Sequence, residues 1–266
     1  MTRTVTRDVE YSHDGTRMLG YLCAPAGAQR FPGVLLIHDA FGLGEDAVAA
    51  AHRLADLGLA VFAADVWGDR ATPATEPEIG PLIGGMVADR DRWTGRVAAA
   101  HEAAAAQPEV DGSALVVMGF CFGGSSALEH LRTGGDVRGV VSVHGGLDLL
   151  HDDDWSRATT TAPVLLCTGA DDPMATASMR ARLQGSLSAA GIDWEEDLYS
   201  GTKHAFTSPR ARFSPRPEAI AYNPRSAARA WEATTRFLHE LFPDRLGPRP
   251  GGPVLLPDPL DDEVPA

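Results

Sequence analysis

Gly119-Phe120-Cys121-Phe122-Gly123-Gly124 restricts what this chain can fold into more than any other stretch. Ala114-Leu115-Val116-Val117-Met118 leads into it with the character of a buried strand. Ser125-Ser126-Ala127-Leu128-Glu129-His130-Leu131 follows with spacing compatible with a helix. A strand, a Gly-x-Cys-x-Gly turn and a helix make a nucleophile elbow, with cysteine where serine is usual. Side chains two positions to either side of the central residue would collide with the neighbouring strand or helix, which is why glycines stand there. The turn lifts the sulfur above the sheet, and the helix N-terminus behind it favours thiolate over thiol.

The turn alone does not decide the matter, because most free cysteines are small buried hydrophobes. The elbow reading requires an acid and then a histidine, each just after its own strand. Leu165-Leu166-Cys167-Thr168-Gly169-Ala170-Asp171-Asp172-Pro173 supplies two candidate carboxylates, and Asp197-Leu198-Tyr199-Ser200-Gly201-Thr202-Lys203-His204 supplies the histidine. The order nucleophile, acid, histidine is that of α/β-hydrolases. In that reading His204 takes or holds the proton of Cys121, and the carboxylate fixes its tautomer and orientation. The plainer alternatives are a hydrogen-bonded loop histidine and turn or cap aspartates.

The rest of the chain is consistent with one α/β domain. Val5–Tyr11 and Arg17–Cys23, flanking His13-Asp14-Gly15-Thr16, predict an N-terminal β-hairpin. Buried strands are expected at Gly33–His38, Leu59–Ala64, Val137–His144, Pro163–Thr168 and Ile192–Tyr199. Helices are expected at Glu45–Leu57, Met86–Ala106, Met174–Ala190 and from Asn223-Pro224, with an extended loop from Trp67 to Gly85. This alternation predicts an α/β-hydrolase fold: a mostly parallel sheet with helices on both faces and its site at the carboxyl ends of the strands. The domain is expected to span residues 1–242. Pro243 to Ala266, dense in Pro, Gly and Asp, reads as a disordered acidic tail, with a partner-binding arm as the alternative.

With 23 Lys and Arg against 36 Asp and Glu, the net charge of −13 makes nucleic acid and anionic membrane poor partners. No apolar run has the length of a membrane span, and the first residues lack the apolar core of a secretory signal. Cys23, Cys121 and Cys167 are odd in number and without zinc-like spacing, so a cytoplasmic protein is expected.

The chain resembles the dienelactone hydrolase family from about Val5 to Leu241. The resemblance rests on the Cys121 turn, on Gly169-Ala170-Asp171-Asp172, on Lys203-His204-Ala205-Phe206 and on Ile37-His38-Asp39-Ala40-Phe41-Gly42. The family's Gly-x-x-Asp pattern falls on Gly169–Asp172, so the resemblance gives Asp172 the triad role. It places Asp39 where the family carries a glutamate that helps control ionisation of the thiol. It assigns the oxyanion hole to the backbone N–H groups of Phe122 and Ala40. It implies hydrolysis of small esters or lactones through an acyl-cysteine, without metal or organic cofactor. A monomer or homodimer is expected. Family members grip a substrate carboxylate with arginines; no arginine closely follows His204, so Arg70 in the loop after the second central strand, and Arg210 and Arg212 slightly later in the chain, are the candidates here. His38 and His144 end strands on the site side, where they either line the pocket or bond to the backbone, and His144 is kept as a substrate-contact candidate.

Two rival readings stand beside this one. Gly42-Leu43-Gly44-Glu45-Asp46-Ala47 with Asp65 at the end of the next strand fits a dinucleotide fingerprint, although it explains neither the elbow nor His204. A non-catalytic ligand-binding protein on the same fold is the other. His151-Asp152-Asp153-Asp154 reads as a solvated loop rather than a metal site.

Overall fold

A computed structural model describes residues 3–150, 154–158 and 162–247. The hairpin forms from β1 (Thr4–His13) and β2 (Thr16–Pro25), joined through Asp14 and Gly15, both at positive φ (46° and 74°). Two consecutive left-handed residues match the twist of the flanking strands, which is why Asp-Gly closes this turn. The remaining strands are β3 (Phe31–Ile37), β4 (Ala60–Ala64), β5 (Val110–Phe120), β6 (Gly139–Val143), β7 (Val164–Gly169) and β8 (Trp194–Tyr199). They form one eight-stranded sheet in the order β1-β2-β4-β3-β5-β6-β7-β8. Only the β1–β2 and β2–β4 pairings are antiparallel.

Strand periodicity divides the core into two layers. In β3, Leu35 and Ile37 face one side, while Val34 and Leu36 face the other. The first side packs against α3 (Arg90–Ala105), α4 (Phe122–Arg132) and α5 (Ala177–Ala189), with Trp93, Val97, Leu128, Leu131 and Leu183 in the interface. The second packs against α1 (Glu45–Ala55) and α6 (Pro224–Leu241), through Ala51, Leu54, Phe237 and Leu238. Coverage on both faces explains why the central strands are continuous apolar runs rather than alternating ones.

The α6 start is as expected: Asn223 Oδ1 accepts the Ser226 N–H at 3.1 Å, and Pro224 occupies the first helical position. Such a cap contributes about 1 kcal/mol. The stretch from Trp67 to Gly85 departs from expectation, because α2 (Glu76–Ala88) forms within it. Thr75 and Glu78 make a reciprocal capping box that sets the first turn, outweighing the local density of Pro and Gly. The expected helix Met86–Ala106 is also two helices. The backbone at Asp89 turns away (φ −125°, ψ 84°), ending α2, and its carboxylate caps α3 by accepting the Arg92 N–H.

The first residues of the expected tail lie against the body. Arg245 pairs with Asp111 at 2.9 Å, and the Gly247 N–H donates to the Leu57 carbonyl at 2.9 Å. Residues 248–266 lie outside the described residues, as do His151, Asp152 and Asp153 of the acidic loop. Among the described residues no helix is long and apolar enough to cross a membrane.

The packing of α3 on α4 buries a histidine pair, with His101 Nδ1 and His130 Nε2 2.7 Å apart. Burial, and then the neighbouring His101, lower His130 to about 3. Burial likewise lowers His101, against the pull of Asp136 and Glu102. Groups held neutral in this way contribute stability above the unfolded value near ~6.5, lost as pH falls towards the folded value. The melting temperature is therefore expected to fall as pH is lowered from about 6.5 towards 4. In His130→Gln that slope should flatten, and an unchanged slope would remove the pair as its source.

Candidate active site

Cys121 sits between β5 and α4 with φ 53° and ψ −118°. A non-glycine residue held there stores about 1–3 kcal/mol, which the surrounding packing must over-determine. A Cβ on Gly119 would overlap the Gly123 backbone, and one on Gly123 would overlap the Ile37 carbonyl. A Cβ on Gly124 would come within 2.7 Å of Ser142 Oγ. The glycines thus let β3, β5, the α4 N-terminus and the turn after β6 converge beneath one sulfur. The Cys121 N–H donates to both the Val143 carbonyl and His144 Nδ1, each at 3.1 Å.

His204 follows β8 and is clamped by its own backbone: its N–H donates to the Ala219 carbonyl, and its carbonyl accepts from Ala221. Its Nε2 lies 3.0 Å from Cys121 Sγ, and its Nδ1 lies 2.8 Å from Asp172 Oδ2. Asp172 is 2% exposed, and its other oxygen accepts the Met174 N–H at 2.8 Å. Asp171, its neighbour, points to solvent. Gly169 is required because a Cβ there would overlap the Thr202 carbonyl, which brings the β7 end against the histidine loop. That loop is pinned in turn to α6, where Thr202 Oγ1 bonds Ser226 Oγ at 2.8 Å and accepts from Asn223 Nδ2 at 3.1 Å. Thr202 and Asn223 thus support the site from a distance, and neither was singled out in sequence for that purpose.

Burial acts to lower the His204 imidazole. The charge of Cys121, the hydrogen bonds to Asp172 and Cys121, and the Asp172 charge outweigh it and raise His204 to about 10. His204 thus stands between the Cys121 sulfur on one side and the Asp172 carboxylate on the other.

The turn after β3 forms the other wall. His38 Nδ1–H donates to the Asp39 carbonyl at 2.7 Å, while its Nε2 accepts the Val66 N–H at 3.1 Å, which fixes a neutral tautomer. Asp39 Oδ1 accepts the Phe41 N–H at 2.9 Å, and Trp67 Nε1–H donates to the Ala40 carbonyl at 3.3 Å. The Ala40 N–H, like that of Phe122, has no acceptor among the described residues. Burial raises Asp39 to about 6; the Phe41 N–H lowers it, Asp46 raises it, and Arg210 and His204 lower it.

A family model described as the dienelactone hydrolase family matches residues 18–242. The chain belongs to the dienelactone hydrolase family. It is accordingly a hydrolase of the ester- and lactone-cleaving kind. A Bradyrhizobium protein named "Probable 2-oxo-3-(5-oxofuran-2-ylidene)propanoate lactonase" is 27% identical over 249 residues, covering 89% of this chain and 95% of that one. A dienelactone hydrolase-like promiscuous phosphotriesterase from metagenomic libraries is 35% identical, with a TM-score of 0.83, over 92% of this chain and 99% of that one. The dienelactone hydrolase of Anabaena variabilis, 21% identical with a TM-score of 0.61 over 92% and 99% of the two chains, shares the fold.

The expected substrate contacts of this dienelactone hydrolase family member are placed differently from one another. Arg70 is spent on the hairpin: its guanidinium donates to the carbonyls of Leu19 and Gly20 and to Asp8 at 2.7–3.0 Å. The open edge left where β2 turns away from β4 draws it inward, so it is not a substrate clamp. Arg210 pairs with Asp46 at 3.2 Å and Glu45 at 3.8 Å at the N-terminus of α1. His144 is 2% exposed and bonded at both nitrogens, so it is a packing and hydrogen-bonding residue rather than a free pocket wall.

The dinucleotide alternative fails on the same grounds. Asp65 accepts the N–H groups of Leu19, Gly68 and Arg70, and Glu45 and Asp46 stand at the helix end where a pyrophosphate would need positive potential. A hydrolase family also displaces the non-catalytic reading. Among the described residues no group of three His, Cys, Asp or Glu is placed to hold a metal. Cys23 and Cys167 are buried, and burial pushes their thiols up to about 11 and 12, whereas Cys121 is partly exposed.

Proposed function

We propose that this enzyme cleaves small neutral carboxylic esters or lactones through an acyl-cysteine formed on Cys121. The observation that carries this reading is Cys121 Sγ at 3.0 Å from the His204 nitrogen whose ring is held at its far side by Asp172. The thiolate attacks the carbonyl carbon, and the carbonyl π electrons move onto oxygen. The N–H groups of Phe122 and Ala40 receive that oxyanion, aided by the α4 N-terminus. As the C–O bond breaks, His204 gives its Nε2 proton to the departing alkoxide. It then takes a proton from water, which attacks the thioester and releases the acid with the thiolate restored. Asp172 steadies the imidazolium throughout. Asp39 shapes the oxyanion turn through the Phe41 N–H and adds a negative charge beside His204. With three unpaired cysteines, we place the enzyme in a reducing cytoplasm.

The preference for uncharged substrates follows from where the cations went. Arg70 serves the hairpin, Arg210 is paired with acids, Asp39 is itself anionic above about 6, and the chain carries −13. A carboxylate-bearing lactone, as in the name of the Bradyrhizobium relative, would meet repulsion without a free clamp. A neutral phosphotriester, the substrate class in the name of the metagenomic relative, presents an uncharged oxyanion-forming centre and is the second class to test. On a matched pair, an acid-bearing lactone and its neutral methyl ester, kcat/KM is expected to favour the ester by about tenfold or more. A clear preference for the acid that disappears in Arg210→Ala would reverse the assignment of substrate charge.

A further inference from the structure

His144 links the two halves of the site. It follows β6 at φ 40°, a left-handed conformation that a non-glycine side chain adopts only when its surroundings hold it there. Its own N–H donates to the Cys167 carbonyl at 2.8 Å, fixing the backbone to β7. The ring then reaches in two directions. Nδ1 accepts the Cys121 N–H at 3.1 Å, and Nε2 lies 2.7 Å from Thr207 Oγ1. Because Nδ1 must accept, the proton resides on Nε2 and is donated to Thr207. Edge-on packing against His204 (ring centroids 5.4 Å apart) and Phe206 (5.2 Å) holds the plane of the ring.

We propose that His144 is a positioning residue: it anchors the strained Cys121 backbone and, through Thr207, ties it to the loop that carries His204. The sulfur and the imidazole it must meet come from loops after β5 and β8, which are separated in the sheet by β6 and β7. His144 is the one side chain with a hydrogen bond to each of those loops, among the bonds seen for Cys121 and for Ala205–Ser208. The role requires an uncharged ring, since a proton on Nδ1 would set two donors against each other at the Cys121 N–H. Burial, and then the neighbouring His204 charge, hold His144 well below its ordinary value, in agreement with that requirement.

The inference rests on the proposed triad, so its test includes a readout independent of ester turnover. His144→Phe retains an aromatic ring between Phe120 and Phe206 but deletes both hydrogen bonds. It is expected to lower kcat by about 10²-fold with KM nearly unchanged, the penalty of a small misplacement of reacting groups. Alkylation of Cys121 by iodoacetamide, followed by peptide mapping across pH 5–9, should slow and change its pH profile in the same variant. Thr207→Val should give a smaller loss, and the double variant should be no worse than His144→Phe, because both changes break one chain of bonds. A folded His144→Phe with native kcat and native alkylation profile would overturn the proposal, as would fully additive losses. Should His144→Phe fail to fold, Thr207→Val and the 15N resonances of His144 in the unaltered protein decide. A neutral Nε2–H tautomer through pH 5–8 is expected, and a protonated Nδ1 would overturn the role. If no ester is turned over but alkylation responds as described, the triad's chemistry is wrong and the positioning role stands.

Discussion

Asp172→Asn is expected to lower kcat by about 10⁴, the scale set by misorienting the histidine of a serine-protease triad. The fold should survive, because Asn Oδ1 can still accept the Met174 N–H that Asp172 Oδ1 accepts now. That orientation presents the amide NH₂ to His204 Nδ1, where a carboxylate oxygen stands at 2.8 Å. Nδ1 must then become an acceptor, and the ring proton moves to Nε2, leaving nothing to take a proton from Cys121 or water. The imidazolium also loses its buried counter-charge. Asp171→Asn, one residue away and solvent-exposed, should cost less than twofold. Steady-state kinetics on the two variants, with melting curves to confirm folding, provide the check, and a reversed ranking would move the acid to Asp171.

Cys121→Ala should remove turnover altogether, a loss of about 10⁶-fold or more where a triad nucleophile is deleted. The protein should remain folded, since Ala occupies the same φ and the elbow's close contacts come from Gly119, Gly123 and Gly124 rather than from sulfur. Cys23→Ala and Cys167→Ala should keep most activity. Their thiols are buried and raised to about 11 and 12, so they contribute little thiolate at neutral pH. Cys121→Ser is expected to fall far below the native rate as well. In the proposed mechanism a hydroxyl would not form the thiolate–imidazolium pair, and it would need the His204 ring free as a base.

The parts of the fold legible in sequence are those dictated by local chemistry repeated along the chain. Apolar runs marked β3 to β7, Asp14-Gly15 marked the hairpin, and Asn223-Pro224 marked the start of α6. The elbow could be read because three glycines and a cysteine satisfy a steric condition that few other arrangements impose. Where the reading went astray, long-range or competing local contacts decided. A capping box at Thr75 and Glu78 outweighed the prolines and glycines of α2, and the Asp89 backbone broke what looked like one helix. Arg70 was drawn to three carbonyl contacts and Asp8 by tertiary placement that no local pattern encodes. The strand-end histidines His38 and His144 were visible as residues near the site, but their tautomers depend on partners 28 and 23 residues away in sequence. Thr202 and Thr207, which hold the histidine loop, carry no sequence signal beyond their nearness to His204.

The identity of the atom that becomes acylated decides the mechanism most directly. Mixing the enzyme with a p-nitrophenyl ester, quenching in acid within the first turnovers and mapping peptides by mass spectrometry reads that atom. The predicted result is an acyl mass on the peptide carrying Cys121, absent in Cys121→Ala, with a burst of nitrophenolate equal to one site per chain. An acyl group on another residue, or undiminished turnover by Cys121→Ala, would contradict it.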